Sequence, residues 1–251
     1  MSQSVMWKFL TAADLRAKAE AGAVVVLPVA SMEQHGPHLP VGVDTILSEA
    51  VCQAAAEAVA GDTPVVVAPT LWCGMAEHHM AFGGTFTFDI PTYRAVLTCF
   101  LRSIERHGFR RVLIVNGHGG NIAALSAFLP DIARETGLTV RMTTYFDQAK
   151  RPMAEILEDQ KGVHHACEAE TSLMMAVAPE TVRRDKLAEA HGPAHSSSPP
   201  AGIVRYRSFR DITPTGVIGD ARRATAEKGE KLLAALRDGM AAVIRDPATW
   251  S

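Results

Sequence analysis

No pair among Cys52, Cys73, Cys99 and Cys167 stands in a Cys-x-x-Cys spacing, which removes the redox dithiol and the zinc ribbon from consideration. No apolar run approaches the roughly 20 residues that a membrane-spanning helix needs. The N-terminal segment carries Lys8 and Asp14 and has no apolar core of the secretory kind. A cytoplasmic protein that enters no membrane is the reading. An excess of basic charge is also missing: 25 Lys and Arg face 27 Asp and Glu, so there is no field to attract nucleic acid, and a small neutral or mixed-charge ligand is the expected partner. Neither G-x-x-x-x-G-K-[ST] nor G-x-G-x-x-G occurs, and G-x-S-x-G and H-E-x-x-H are absent too. A phosphate-cradling nucleotide site, a serine-elbow hydrolase and a zincin-type protease each lose their usual signature. No internal repeat is visible.

What the chain does have is one sizeable core's worth of apolar residues, 47% of 251, which a single domain over residues 1–251 can bury. Apolar, β-branched runs at Ala23 to Ala30, Pro64 to Leu71 and Arg111 to Val115, with a weaker one at Leu138 to Tyr145, alternate with helical patterns at 45–60, 91–107 and 121–136. That alternation predicts an α/β fold with a mostly parallel sheet covered on both faces. Val24 to Val26 and Val65 to Val67 show no polar alternation, as central strands require. Thr11 and Thr92 mark helix starts, and Gly61, Gly108 and Gly137 mark stops. A last amphipathic helix covers about Ala221 to Ile244. Before it, His191 to Gly219 is rich in Gly, Pro and Ser and is expected to be a long loop: a lid, a binding loop, a subunit contact or a plain connector.

In open α/β sheets ligands gather at the carboxyl ends of strands, so the polar residues after each apolar run matter most. The first run ends in Glu33, His35, His38 and Asp44. On an extended chain Glu33 and His35 share a face, and Asp44 returns after a Gly/Pro loop. Carboxylate and imidazole so placed suit Zn, Mn or Fe(II), while Asp44 alone could equally cap the next helix. The second run ends in Glu77, His78 and His79, which we read as lining rather than ligands. The third ends in Asn116-Gly117-His118-Gly119-Gly120-Asn121, where glycines let the backbone bend around a ligand. A fourth cluster, His165-Ala166-Cys167-Glu168-Ala169-Glu170, opens a helical segment. Two residues apart on a helix, Glu168 and Glu170 diverge, and Glu168, three residues from His165, is the better candidate ligand.

Glu33-Gln34-His35-Gly36-Pro37-His38-Leu39-Pro40 with Asp44, then Asn116 to Asn121, then His165 to Thr171, resemble the creatininase (creatinine amidohydrolase) family in residue type and order. Phe82 to Thr85, Thr215 to Asp220 and Ala224 to Gly229 extend the likeness over nearly the whole chain. The resemblance implies a three-layer α/β/α sandwich, two divalent metal ions per subunit, hydrolysis of a non-peptide or cyclic C–N amide bond in a small molecule, and often a homohexamer built as a trimer of dimers. Carried over, Glu33 and His118 bind one ion, His35 the other, Asp44 bridges them, and His165 transfers a proton. Glu77, His78, Gly119, Gly120 and Asn121 are placed along the substrate pocket.

The departures concern the second ion and the substrate. Creatininases proper follow the matching histidine with a tyrosine and a glutamate, where this chain has Gly119 and Gly120, and Glu168 is proposed as the replacement ligand. The substrate-gating tryptophans of creatininases have no counterpart, since Trp7, Trp72 and Trp250 lie elsewhere, so creatinine is a doubtful substrate. Deformylation of formamides and peptide trimming remain open within the family. Outside it stand a phosphate- or nucleotide-binding module built on Asn116 to Asn121, and an amidase that uses Cys167 as nucleophile.

Overall fold

The computed structural model describes residues 4–196 and 203–251, so Ser197 to Gly202 of the predicted loop lie outside the described residues. Helix α1 (Ala12–Glu20) starts at Thr11, whose hydroxyl accepts the Asp14 N–H while the Asp14 carboxylate takes the Thr11 N–H in return. Strand β1 (Val24–Val29) leads to helix α2 (Val43–Val59), and short β2 (Val65–Val67) leads to α3 (Ile90–Arg106). Strand β3 (Arg111–Asn116) precedes α4 (Ile122–Thr136), which stops at Gly137 in the left-handed region at φ 62°. Strand β4 (Thr139–Thr144), α5 (Lys150–Ile156), α6 (Glu168–Val177) and α7 (Ala226–Arg245) complete the main elements. The predicted final helix is shorter at its start, because Ala221–Arg223 forms a separate turn and Thr225 caps α7.

The four strands are all parallel in the order β2-β1-β3-β4, with Val24 opposite Val65 on one side and Arg111 on the other. Alternate residues serve opposite faces. Val24, Val26, Leu113 and Val115 pack toward α2, α6 and α7, whereas Val25, Leu27, Val112 and Ile114 pack toward α3 and α4. This is the expected three-layer sandwich. Each fully buried Val, Leu or Ile contributes roughly 1.5–3 kcal/mol relative to exposure. The valine runs lack polar alternation because both faces of the sheet are covered.

The strand order positions the site. From β1 the chain crosses to β2 on one side, and after β2 it returns to β3 on the other, so a crevice opens beyond the carboxyl ends of β1 and β3. The segments after those two strands carry Glu33 to His38 and Gly117 to Asn121. The expected long loop is partly built: Phe209–Asp211 forms a helical turn capped by Ser208, and the Phe209 ring is buried.

Candidate functional site

Asp44 is the hinge of the cluster. It sits in the first turn of α2 but does not cap it, because the N-cap is Gly42 and no side chain makes the capping bond. Its two oxygens diverge instead: Oδ1 lies 3.2 Å from His35 Nε2 and Oδ2 lies 3.2 Å from His118 Nδ1. Glu33 Oε2 is 3.1 Å from the same His118 nitrogen. The remaining oxygen of Glu33 faces His79 Nε2 at 3.2 Å and His165 Nδ1 at 3.5 Å. Glu33, His35, Asp44 and His118 are all buried.

The far side of each ring explains which nitrogen faces inward. His35 donates its Nδ1–H to the Glu33 carbonyl at 3.1 Å, and His118 donates its Nε2–H to the Met75 carbonyl at 3.2 Å. Once deprotonated, His35 Nε2 and His118 Nδ1 therefore present lone pairs to the centre of the cluster, the arrangement usual for metal-ligating imidazoles whose other nitrogen is held by a carbonyl. The loop that carries His118 is pinned in turn. Asn116 donates to the His118 carbonyl and accepts its N–H, while Asn121 takes the Met75 N–H and donates to the Ala30 carbonyl.

Oε2 of Glu33, Oδ2 of Asp44 and Nε2 of His35 are buried without a hydrogen-bond partner. Each such group costs about 1–3 kcal/mol if nothing compensates it. Separations of 3.1–3.2 Å between atoms that all offer lone pairs match the edges of a coordination shell, about 3.0–3.4 Å for bonds near 2.1 Å. The donors thus fit divalent ions.

Two candidate carboxylates stand at the start of α6, and they separate. Glu168 turns away: its oxygens accept the N–H groups of Glu158 and Asp159 at 3.0 and 2.8 Å and pair with Lys228. The expectation that Glu168 serves the His35 ion is corrected. Glu170 Oε2 lies 3.9 Å from His35 Nε2, and His35, His165 and Glu170 bring ligand atoms within 4.8 Å of one another. The spacing argument failed because His165 is not on the helix. The helix begins at Glu168, and Ala166 at φ 52° turns the chain just before it, so the three-residue rule does not apply.

Other expectations divide similarly. His78, Gly119 and Gly120 line a cavity of about 300 Å3 together with Glu33, Asp44, His118, His165 and Glu170. Glu77 is exposed and outside that lining, a second correction, and Asn121 is buried as a loop brace rather than a wall, a third. His79 was not singled out within its cluster, and only its burial distinguishes it from His78. Phe209, whose ring centroid is 4.2 Å from that of His79 and 4.7 Å from that of His165, carried no local signal at all. A side-chain carbon at Gly120 would lie 2.3 Å from His118 Nε2 and 2.5 Å from the Met75 carbonyl, so this backbone cannot supply a carboxylate from position 120.

Protonation follows the geometry. Burial alone would lower His35, but Asp44, then Glu170 and Glu33, raise it to about 9. Burial would raise the Asp44 carboxyl, and His35 with His118 hold it well below the ordinary range. Burial pushes Glu170 up to about 7, with His35 opposing and Asp44 assisting. Burial, reinforced by His35 and His79, keeps His165 well below the usual histidine value. The Cys167 thiol is buried, accepts the His164 N–H at 3.3 Å and is pushed up to about 12 by burial and then Glu170, so it supplies no thiolate. The described lining of the cavity carries three carboxylates and no Lys or Arg to cradle a phosphate.

A family model described as Creatininase, creatinine amidohydrolase, matches residues 8–244. The chain is 31% identical over 264 residues to a creatinine amidohydrolase of Pseudomonas putida, covering 98% of each. It is also 31% identical over 223 residues to a mycofactocin precursor peptide peptidase of Mycolicibacterium smegmatis, covering 87% of this chain and 83% of that one. The crystal structure of a creatinine amidohydrolase superposes with a TM-score of 0.83 at 30% identity, over 97% of both chains. Creatininase structures described as Zn–Zn type and as Mn give 0.82 and 0.81, each at 30% identity over 97% of this chain and 98% of theirs.

Proposed function

The chain belongs to the creatininase family, and we propose that it is a two-metal amidohydrolase cleaving a non-peptide or cyclic C–N amide bond of a small molecule. One observation carries the reading: Asp44 directs one oxygen to His35 and the other to His118, among buried donors that have no other partner. Glu33, Asp44 and His118 would hold one divalent ion, and His35, Asp44 and Glu170 the other. Bound there, two ions supply Lewis-acid polarisation of the amide carbonyl and a water nucleophile of lowered pKa.

The chain's own groups do the rest. His165, half-buried and unprotonated beside Glu33, is placed to take a proton at Nδ1 and give it to the departing nitrogen, which cannot leave as an amide ion. Phe209 covers His79 and His165 and limits water around the transferred proton. None of Trp7, Trp72 and Trp250 lines the cavity, and a side-chain carbon at Gly119 would meet no atom within 4 Å. A cavity with no tryptophan among its described lining residues favours a substrate longer than creatinine, which keeps formamides and short peptides beside cyclic amides as candidates.

The same reading makes the enzyme cytoplasmic and a homohexamer, a trimer of dimers. In support, no described helix is long and apolar enough to cross a membrane, and Trp72 and Phe86, exposed and in edge-to-face contact, offer apolar area for a subunit contact. Metal analysis of freshly purified protein, followed by hydrolysis assays on cyclic amides, formamides and short peptides with and without chelator, tests the function. Two equivalents of metal and chelator-sensitive turnover are expected. Turnover that survives complete metal removal would overturn it.

A further inference from the structure

Behind the two histidines on the outer side of Glu33 lies Gln34, a buried amide whose orientation is set by its surroundings. Its Oε1 accepts the N–H of Gly36 at 2.9 Å, so the other end, Nε2, can only donate where it points. Nε2 lies 3.0 Å from His79 Nδ1 and 3.3 Å from the Gly216 carbonyl. His79 Nδ1 must therefore accept. A neutral imidazole has one N–H, and in His79 it sits on Nε2, the nitrogen 3.2 Å from Glu33 Oε1.

The main chain of Gln34 treats His165 in the opposite sense. His165 Nε2 lies 2.7 Å from the Gln34 carbonyl, which only accepts, so Nε2 carries the hydrogen and Nδ1 is left bare, 3.5 Å from Glu33 Oε1. The Gln34 amide nitrogen also approaches His165 Nε2 at 2.9 Å. The shorter contact decides the tautomer, because a lone pair on Nε2 would face the carbonyl oxygen at 2.7 Å, and the two amide hydrogens then go to His79 and Gly216.

We propose that Gln34 is a positioning residue that holds His79 and His165 in opposite tautomers, so that His79 turns an N–H toward Glu33 while His165 offers a lone pair to the same cavity. Two consequences follow. Glu33, His79 and His165 bring ligand atoms within 4.8 Å, but His79 has no lone pair there, so this trio is not a third cation site. In the amidohydrolase reading, on which only this step rests, His165 takes the proton at Nδ1 and releases it from Nδ1, and its Nε2–H stays on the Gln34 carbonyl throughout.

Ring-nitrogen NMR of the zinc-loaded protein, labelled with 15N-histidine, reads the tautomers without any substrate. Wild type should show His79 protonated at Nε2 only and His165 at Nε2 only. Gln34→Glu keeps an acceptor for Gly36 but turns the donor facing His79 into an acceptor, so the His79 proton should move to Nδ1. Its kcat should fall about 10- to 100-fold with KM and zinc content little changed, the scale of a lost second-sphere partner. Gln34→Leu should lose turnover similarly while leaving His79 in a mixture of tautomers. A wild-type His79 protonated at Nδ1, or a Gln34→Glu protein with full kcat, would overturn the proposal. Should neither variant fold, the wild-type spectrum alone decides. A wrong substrate class would silence the assays and leave the spectrum unchanged.

Discussion

Glu168 and Glu170 stand two residues apart at the start of one helix, both buried, and they live in opposite circumstances. Glu168 is saturated: two backbone N–H groups and the Lys228 ammonium use its lone pairs, and that anchors the 157–160 loop to the helix. Glu170 takes a single N–H, from Ala166, and otherwise faces His35, Asp44 and Glu33, which leaves it with unspent acceptor capacity and a raised carboxyl. Burial and charge do not separate a structural carboxylate from a functional one. The count of satisfied lone pairs does.

The strongest way to break this distinction is at the residue that serves both ions. Asp44→Ala should empty both metal positions and lower turnover by roughly three orders of magnitude, the scale on which a lost transition-state stabiliser is felt. Metal stoichiometry measured with kcat checks it, and full metal content in the variant would refute the bridging assignment.

The paired carboxylates give a sharper, double-sided comparison. Glu170→Gln should weaken binding of one ion by about 10- to 100-fold with little loss of fold stability. Glu168→Gln should do the reverse. It removes one partner of a buried ion pair and should destabilise the chain by about 3 kcal/mol while leaving both ions bound, with the exposure of Lys228 and Glu158 softening the loss. Urea melts and metal titrations on the same two proteins decide. If both variants lose metal equally, the accounting of lone pairs has no predictive value.

Acid probes the same cluster more gently. With Glu170 raised to about 7 and His35 to about 9, ions must displace protons from both groups, so metal affinity should climb as pH rises from 6 to 9. Each proton displaced contributes about tenfold per pH unit. Zinc isotherms at pH 6 and 8.5, with proton release followed in weak buffer, read the slope. A flat profile would mean that the metal-free site is already deprotonated.

Much of this is legible in the sequence alone. The valine runs named the strands, because a sheet covered on both faces has no use for alternation, and Glu33, His35, Asp44 and His118 stood where parallel strands end. What escaped was whatever depends on a local break in regularity. The choice between Glu168 and Glu170 turned on where α6 begins, and a turn at a non-glycine residue conceals that start. His79 and Phe209 were hidden for a different reason: burial at a site comes from segments distant in sequence, and Phe209 reaches His79 from a loop 130 residues further on.

That hidden turn is also the place for the smallest test. Ala166 is the one non-glycine residue with positive φ among those described, and its N–H is thereby aimed at Glu170 Oε2. The left-handed conformation costs an alanine roughly 1–2 kcal/mol. Ala166→Gly removes that cost but adds backbone freedom to the unfolded chain, worth about 0.4–1 kcal/mol in the other direction. The net expectation is a stabilisation between about 0 and 1.6 kcal/mol, read as a small rise in urea midpoint, with metal content unchanged. The strain persists because the turn is over-determined from both sides, by the Glu170 bond before the helix and by the Glu168 anchor within it. If Ala166→Gly instead loosened the His35-side ion, the strained alanine would be holding Glu170 in place as well as turning the chain.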